Sequence, residues 1–332
     1  MAMKITIVMY HYVRDLKSTP FPELKGLSVE QFNDQIDYIK KHYNVISGDA
    51  LLDAADSGSL DELPPRALLL TFDDGYMDHF TEVFPVLQRE GLPGCFFPPA
   101  KCILENHVLD VNKIHFVLAC EPVKQVIVDY IFQMLAEHGQ QYQAQSKDYY
   151  WAKLAVANRF DPKEVVFIKR ILQRELPERL RQIIINGLFK EYVTSDEASF
   201  ARELYMDIDH LAGMRASGMY VGSHGYGHYW LNSIEPGAQS LEIERALEFL
   251  NRIGARADSW IMCYPYGAYD DSLLSLLRKA NCKIGLTTRV GIVDTRRDHL
   301  LTLPRLDTND LPRHSSAKPN EWALQAEERR QG

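Results

Sequence analysis

Short apolar runs, each too brief for a helix, recur along this chain and alternate with longer stretches of helical periodicity. No other feature restricts the fold so strongly, because this alternation is the pattern of a parallel β/α architecture. Strands are expected at Lys4–Tyr10, Tyr43–Ile46, Ala67–Phe72, Gly94–Pro98, Met219–Ser223, Trp260–Tyr264, Ile284–Thr287 and Leu300–Leu306. Helices are expected at Val29–His42, Met77–Glu90, Leu241–Ile253 and Asp270–Ala280. The first has Phe32, Ile36 and Ile39 at helical spacing and Ser28 placed to cap it. Residues 112–207 break the alternation: Val123–Glu137, Pro162–Arg174 and Pro177–Val193 are all helical in period. They read as a helical subdomain inserted into a unit made of residues 1–111 and 208–312, followed by a polar tail, 313–332, expected to pack poorly.

Several of these runs end in residues that carry chemistry. The run Ala67-Leu68-Leu69-Leu70 breaks off into Thr71-Phe72-Asp73-Asp74-Gly75, where two carboxylates stand side by side. One of such a pair can hold a metal while the other moves protons, although Asp-Gly is also an ordinary turn dipeptide. Nitrogen ligands then appear in Ser223-His224-Gly225-Tyr226-Gly227-His228, again directly after a strand-like run. Gly225 and Gly227 disfavour a helix, so a loop that folds both imidazoles inward is expected. One Asp and two His complete the three protein ligands that a catalytic zinc ion commonly keeps. Gly225 occupies the place of the glutamate in the His-Glu-x-x-His signature, so a general base has to come from outside this motif, and Asp73 is the candidate. A glycine-rich surface turn with two solvated histidines is the competing account of the His motif taken alone.

TFDDG followed by S-H-G-x-x-H resembles the first two motifs of the NodB-homology polysaccharide deacetylases, carbohydrate esterase family 4. The resemblance implies a distorted (β/α)7 barrel and a deacetylase using a divalent metal, most often Zn2+. It makes Asp73 the base and Asp74, His224 and His228 the metal ligands. The family's Arg-x-Pro-Tyr motif is matched only in part by Cys263-Tyr264-Pro265-Tyr266, so Tyr266 takes the position whose backbone N–H helps bind the oxyanion. The arginine that braces the base in the family is replaced by Cys263. The run Ile7-Val8-Met9-Tyr10-His11 resembles the circularly permuted poly-N-acetylglucosamine deacetylase branch, whose first strand ends in Tyr-His and supplies the general acid; that implies His11 in the role. With all these residues at strand C-terminal ends, a β/α barrel would bring them to one face.

The implied substrate is an N-acetylated sugar in a surface polysaccharide or its precursor. Two alternatives stand beside it: a hydrolase of non-sugar amides on the same barrel, and a glycan-binding protein without catalysis. A net charge of -8 gives no footing for nucleic acid. No apolar run approaches the length of a membrane span, and Met1–Tyr10 is too short for a secretory core, so a cytoplasmic protein is expected. The five cysteines have no paired spacing, which fits reduced thiols.

Overall fold

The computed structural model describes residues 3–158 and 161–327. Among the described residues nine strands are present: β1 (Lys4–Tyr10), β2 (Asn44–Val45), β3 (Ala67–Asp73), β4 (Cys95–Phe97), β5 (Tyr220–Val221), β6 (Trp260–Cys263), β7 (Cys282–Val290), β8 (Val293–Asp294) and β9 (Leu303–Asp307). Seven of them lie in the order β5-β4-β3-β1-β9-β7-β6, all parallel. Ser223, just past β5, bridges in parallel to Met262 of β6, with Ser223 N–H donating to Ile261 C=O at 3.1 Å and Cys263 N–H donating to Ser223 C=O at 2.8 Å. Those bonds close the sheet into a seven-stranded barrel. The short β2 and β8 pair with β3 and β1 outside the ring.

All seven residues of β3 are buried, as a central parallel strand covered on both faces requires. On one side Val8, Phe72 and Phe96 pack under the helix Val29–His42 through Phe32 and Ile36. On the other, Ile7, Leu69, Phe97 and Ile261 form a second apolar cluster with Leu286 and Leu303. The helix Val29–His42 begins where expected, and its cap is reciprocal: Ser28 Oγ accepts from Gln31 N–H at 3.1 Å while Gln31 Oε1 accepts from Ser28 N–H.

The described residues fall into two units, one built from Met1–Arg14, Gly26–Asn106 and Arg202–Gly332, the other from Asp15–Lys25 and His107–Ala201. The second unit is helical, as its sequence periodicity predicts, but its limits differ from 112 and 207. It begins at His107 and also takes in Asp15–Lys25, because Phe21 packs edge-on against Phe116 and Phe200 and Lys25 pairs with Asp161 at 2.5 Å. Trp151 and Tyr150 serve its core, the former against Phe132 and Phe167.

The tail also differs from its expectation. Residues Glu321–Glu327 form a helix whose Ala323 and Ala326 are buried in the same apolar cluster as Val8 and Phe72, small side chains that let the helix come close. Residues 328–332 of the tail lie outside the described residues. Among the described residues no helix is long and apolar enough to cross a membrane.

Replacing Ser28 by Ala removes one half of the capping box and is expected to cost about 0.5–2 kcal/mol of stability. Denaturant melts should show the loss, with metal uptake unchanged.

Candidate metal-binding and catalytic site

Asp73 is the last residue of β3, and Asp74 is the first beyond it. The strand end is fixed by Asp74 N–H donating to Phe97 C=O at 3.1 Å. The chain then turns sharply: Asp74 has φ 72° and Gly75 φ 71°, and a Cβ on Gly75 would stand 2.7 Å from Pro98 Cβ. Glycine is therefore demanded there by both backbone and space. The turn leaves the two carboxylates in different surroundings, although both are almost wholly buried.

Asp73 is held by Arg305, a residue of β9. The guanidinium makes a two-pronged contact, Nη1 to Oδ1 at 3.0 Å and Nη2 to Oδ2 at 2.8 Å, in the fork geometry that suits a carboxylate. Arg305 is itself 2% exposed and fully engaged: Nε donates to Thr287 C=O at 2.9 Å, and Nη1 also reaches Thr71 Oγ1 at 3.1 Å. Thr71 Oγ1 in turn donates to Val8 C=O at 2.7 Å, which ties the pair to β1. Burial pushes the Asp73 carboxyl up, but the charges of Arg305 and His224 outweigh it and hold its pKa down to about 2. The brace that the sequence placed at Cys263 and found missing thus comes from a different strand. Its signal was present in Leu303-Pro304-Arg305-Leu306, where a lone cation interrupts an apolar strand; a buried charge of that kind has to be paired.

Asp74 faces the histidines. Its Oδ2 accepts from Tyr76 OH at 2.5 Å, while Oδ1 is buried without a hydrogen-bond donor. His224 Nε2 lies 3.4 Å and His228 Nε2 3.3 Å from that oxygen. His224 presents Nε2 because its Nδ1 donates to Cys263 C=O at 2.7 Å, the kind of support that fixes a ligand's tautomer. An unpartnered buried carboxylate oxygen facing two imidazole nitrogens, with the ligand atoms all within 4.8 Å of one another, is a donor set that a divalent cation satisfies. Burial pushes the pKa of both imidazoles down. For His228 burial prevails, whereas for His224 the neighbouring Cys263 and Asp74 outweigh it and the net direction is up.

A second group, Asp73, His224 and Cys263, is equally compact. It fits a metal less well, because both Asp73 oxygens are taken by Arg305 and burial pushes the Cys263 thiol up, away from the thiolate that a metal needs.

The loop 223–228 is not helical, in keeping with its glycines, and His228 has φ 58°. Tyr266 also has a left-handed backbone, φ 58°; its ring lies 4.8 Å from that of His228 and stacks on Trp230 at 4.4 Å with 2° between planes. His11 follows β1 directly and is partly buried. Its C=O accepts from Nε2 of the buried His79 at 2.9 Å, and the parallel pairing of Tyr10 with Phe72 sets it beside the Asp73 end of β3, at the same rim. The structure thus brings together His11, Asp73, Asp74, His224, His228 and Tyr266, and adds Arg305 and Tyr76, which sequence reasoning missed.

Because the folded pKa of Asp73 lies below its unfolded value of 3.8, the stability it contributes is present above about pH 4 and lost as pH falls toward about 2. Replacing Arg305 by Met strands a buried carboxylate at a cost of about 3–5 kcal/mol. It should also move the acid limb of the pH–rate profile upward by about one to three pH units, since the opposing charge is gone. An unmoved acid limb in a folded Arg305→Met protein would show that Arg305 does not govern Asp73.

Comparison with solved structures finds the same architecture at low identity. A Streptococcus pyogenes deacetylase, PplD, solved in complex with acetate, is 16% identical with a TM-score of 0.57, over 92% of this chain and 93% of that one. IcaB from Ammonifex degensii is 17% identical with a TM-score of 0.53, over 98% of each chain. The BpsB deacetylase domain from Bordetella bronchiseptica is 17% identical with a TM-score of 0.53, over 92% of this chain and 96% of that one. No curated protein matches the chain. The polysaccharide deacetylase family matches residues 61–152 and 191–285, segments that hold Asp73 and Asp74 in the first and His224, His228 and Tyr266 in the second. Covering more than half of the sequence, that match makes the chain a member of the polysaccharide deacetylase family, hydrolases of N-acetyl amide bonds.

Proposed function

We propose that the chain is a metal-dependent deacetylase that removes the acetyl group from an N-acetylated amino sugar in a surface polysaccharide or its precursor. The observation that carries this reading is the unpartnered Asp74 Oδ1 facing His224 and His228, immediately beside an Asp73 held ionised by Arg305. One carboxylate and two imidazoles suit zinc, which when bound polarises a carbonyl and lowers the pKa of water.

The protein's own residues then divide the proton work. Asp73 is ionised at neutral pH and anchored through both oxygens, yet a carboxylate has more lone-pair positions than Arg305 occupies, so it accepts the proton of the attacking water. Its low basicity suits it to a water whose acidity a cation held by Asp74, His224 and His228 would raise. As the acetyl carbon becomes tetrahedral, the Tyr266 N–H donates to the oxygen that gains charge. His11 gives a proton to the amide nitrogen as the C–N bond breaks, because an amide nitrogen leaves poorly until it is protonated. Acetate and the free amine are the products.

The relatives support the substrate class: the matched family is named for polysaccharide deacetylation, and two of the similar solved structures, PplD and the BpsB domain, are deacetylases by their own descriptions. Acetate release from N-acetylglucosamine oligomers, measured together with zinc content, tests the reading. Asp73→Asn should keep its zinc and lose about 10²–10⁴-fold in rate. His228→Ala should lose zinc as well as activity. Normal turnover in Asp73→Asn would remove the base assignment, and tight glycan binding without acetate release by the zinc-loaded wild type would favour a binding protein.

A further inference from the structure

The loop that carries both imidazoles has no secondary structure of its own to satisfy its backbone, and several of its polar groups are met from outside. Gly225 N–H donates to Ser223 Oγ at 3.1 Å. The carbonyls of Gly225 and Tyr226 accept from Ala100 N–H at 3.2 Å and Lys101 N–H at 3.0 Å. Two further donors, Tyr226 N–H and Gly227 N–H, converge on a single oxygen, Oε2 of Glu242, at 3.1 Å and 2.8 Å.

Glu242 lies within the helix Pro236–Arg252, on its buried face beside Ile243, Ala246, Phe249 and Leu250. It is 7% exposed. An apolar side chain would suit that position better unless the carboxylate has a partner, and its hydrogen bonds go to the loop. The clamp ends at Gly227, immediately before His228, whose φ of 58° is a strained conformation for a residue with a Cβ. Such a residue persists only where its surroundings over-determine it. Without the two bonds, the loop is free to relax His228 toward an ordinary backbone and swing its Nε2 away from Asp74.

We propose that Glu242 is a positioning residue for the ligand loop: by holding the N–H groups of Tyr226 and Gly227 with one oxygen, it fixes the backbone from which His228 projects and so sets the affinity of the site for a divalent cation. The inference rests on reading Asp74, His224 and His228 as a metal site. It concerns acceptor geometry rather than charge, and two conservative substitutions separate the two. Glu242→Gln loses the charge but keeps one oxygen at the same reach, able to take both bonds. Glu242→Asp keeps the charge but is one methylene too short.

Zinc affinity of the metal-free full-length chain, measured by competition against a chromophoric chelator, tests this together with thermal melts. Glu242→Gln should bind within about threefold of wild type, and Glu242→Asp should bind about tenfold or more weakly, the usual range for a group that orients a ligand. A purely structural role would lower the melting temperature in both without separating their zinc affinities, and that result overturns the proposal. So does equal weakening in both variants, which would assign the effect to charge or packing. If the wild type itself takes up no zinc, the metal reading fails and this inference with it; wild-type uptake matched by Glu242→Asp sinks this inference alone.

Discussion

The buried pair of Arg305 and Asp73 is the interaction on which the rest of the site depends. It joins three neighbouring strands, since Arg305 belongs to β9, Asp73 to β3, and Thr71 links the pair to β1 through Val8 C=O. A guanidinium with almost no solvent exposure is a severe cost unless every donor has a destination, and here Nε, Nη1 and Nη2 each find an oxygen. The same contacts that make the burial tolerable settle the chemistry of the neighbouring carboxylates. Asp73 is kept ionised and pinned, whereas Asp74 is turned by its left-handed backbone toward the histidines. Two adjacent identical side chains thereby acquire different work from their environments alone.

The barrel supplies the precision that this division needs. Asp73 and Cys263 end β3 and β6 and His224 follows β5, far apart in sequence, yet the parallel ring delivers all of them to one rim. The closing bonds at Ser223 stand directly before His224, so the same residue that completes the ring also anchors the start of the ligand loop. Closure and ligation are thus a single structural event at the join between β5 and β6.

Much of this was legible in the sequence for identifiable reasons. The strand runs at Lys4–Tyr10 and Ala67–Phe72 and the helix Val29–His42 were readable because burial there is continuous or strictly periodic. The TFDDG and S-H-G-x-x-H segments were readable because their chemistry is local in sequence. Arg305 was not, because its partner is 232 residues away and nothing near it in the chain announces a carboxylate. The strand expected at Met219–Ser223 is present as β5, though only two residues long. The tail helix Glu321–Glu327 escaped notice because its contact face is two alanines and a single partly buried Trp322, a short signal against its charged surroundings. The segment Asp15–Lys25 was assigned to the wrong unit for a similar reason: Phe21 and Lys25 find partners more than ninety residues away.

Asp74, His228 and Tyr266 share a left-handed backbone, with φ of 72°, 58° and 58°. Aspartate and asparagine enter that region readily, histidine less so, and tyrosine least of the three. The backbone at this rim therefore acts as a filter on sequence drift that is separate from chemistry. At Tyr266 a change to glycine would relieve the strain while deleting a ring that stacks on Trp230. Lineages descending from such a chain should accordingly exchange that ring for glycine or asparagine more readily than for a β-branched residue, even though a β-branched residue would conserve more apolar surface.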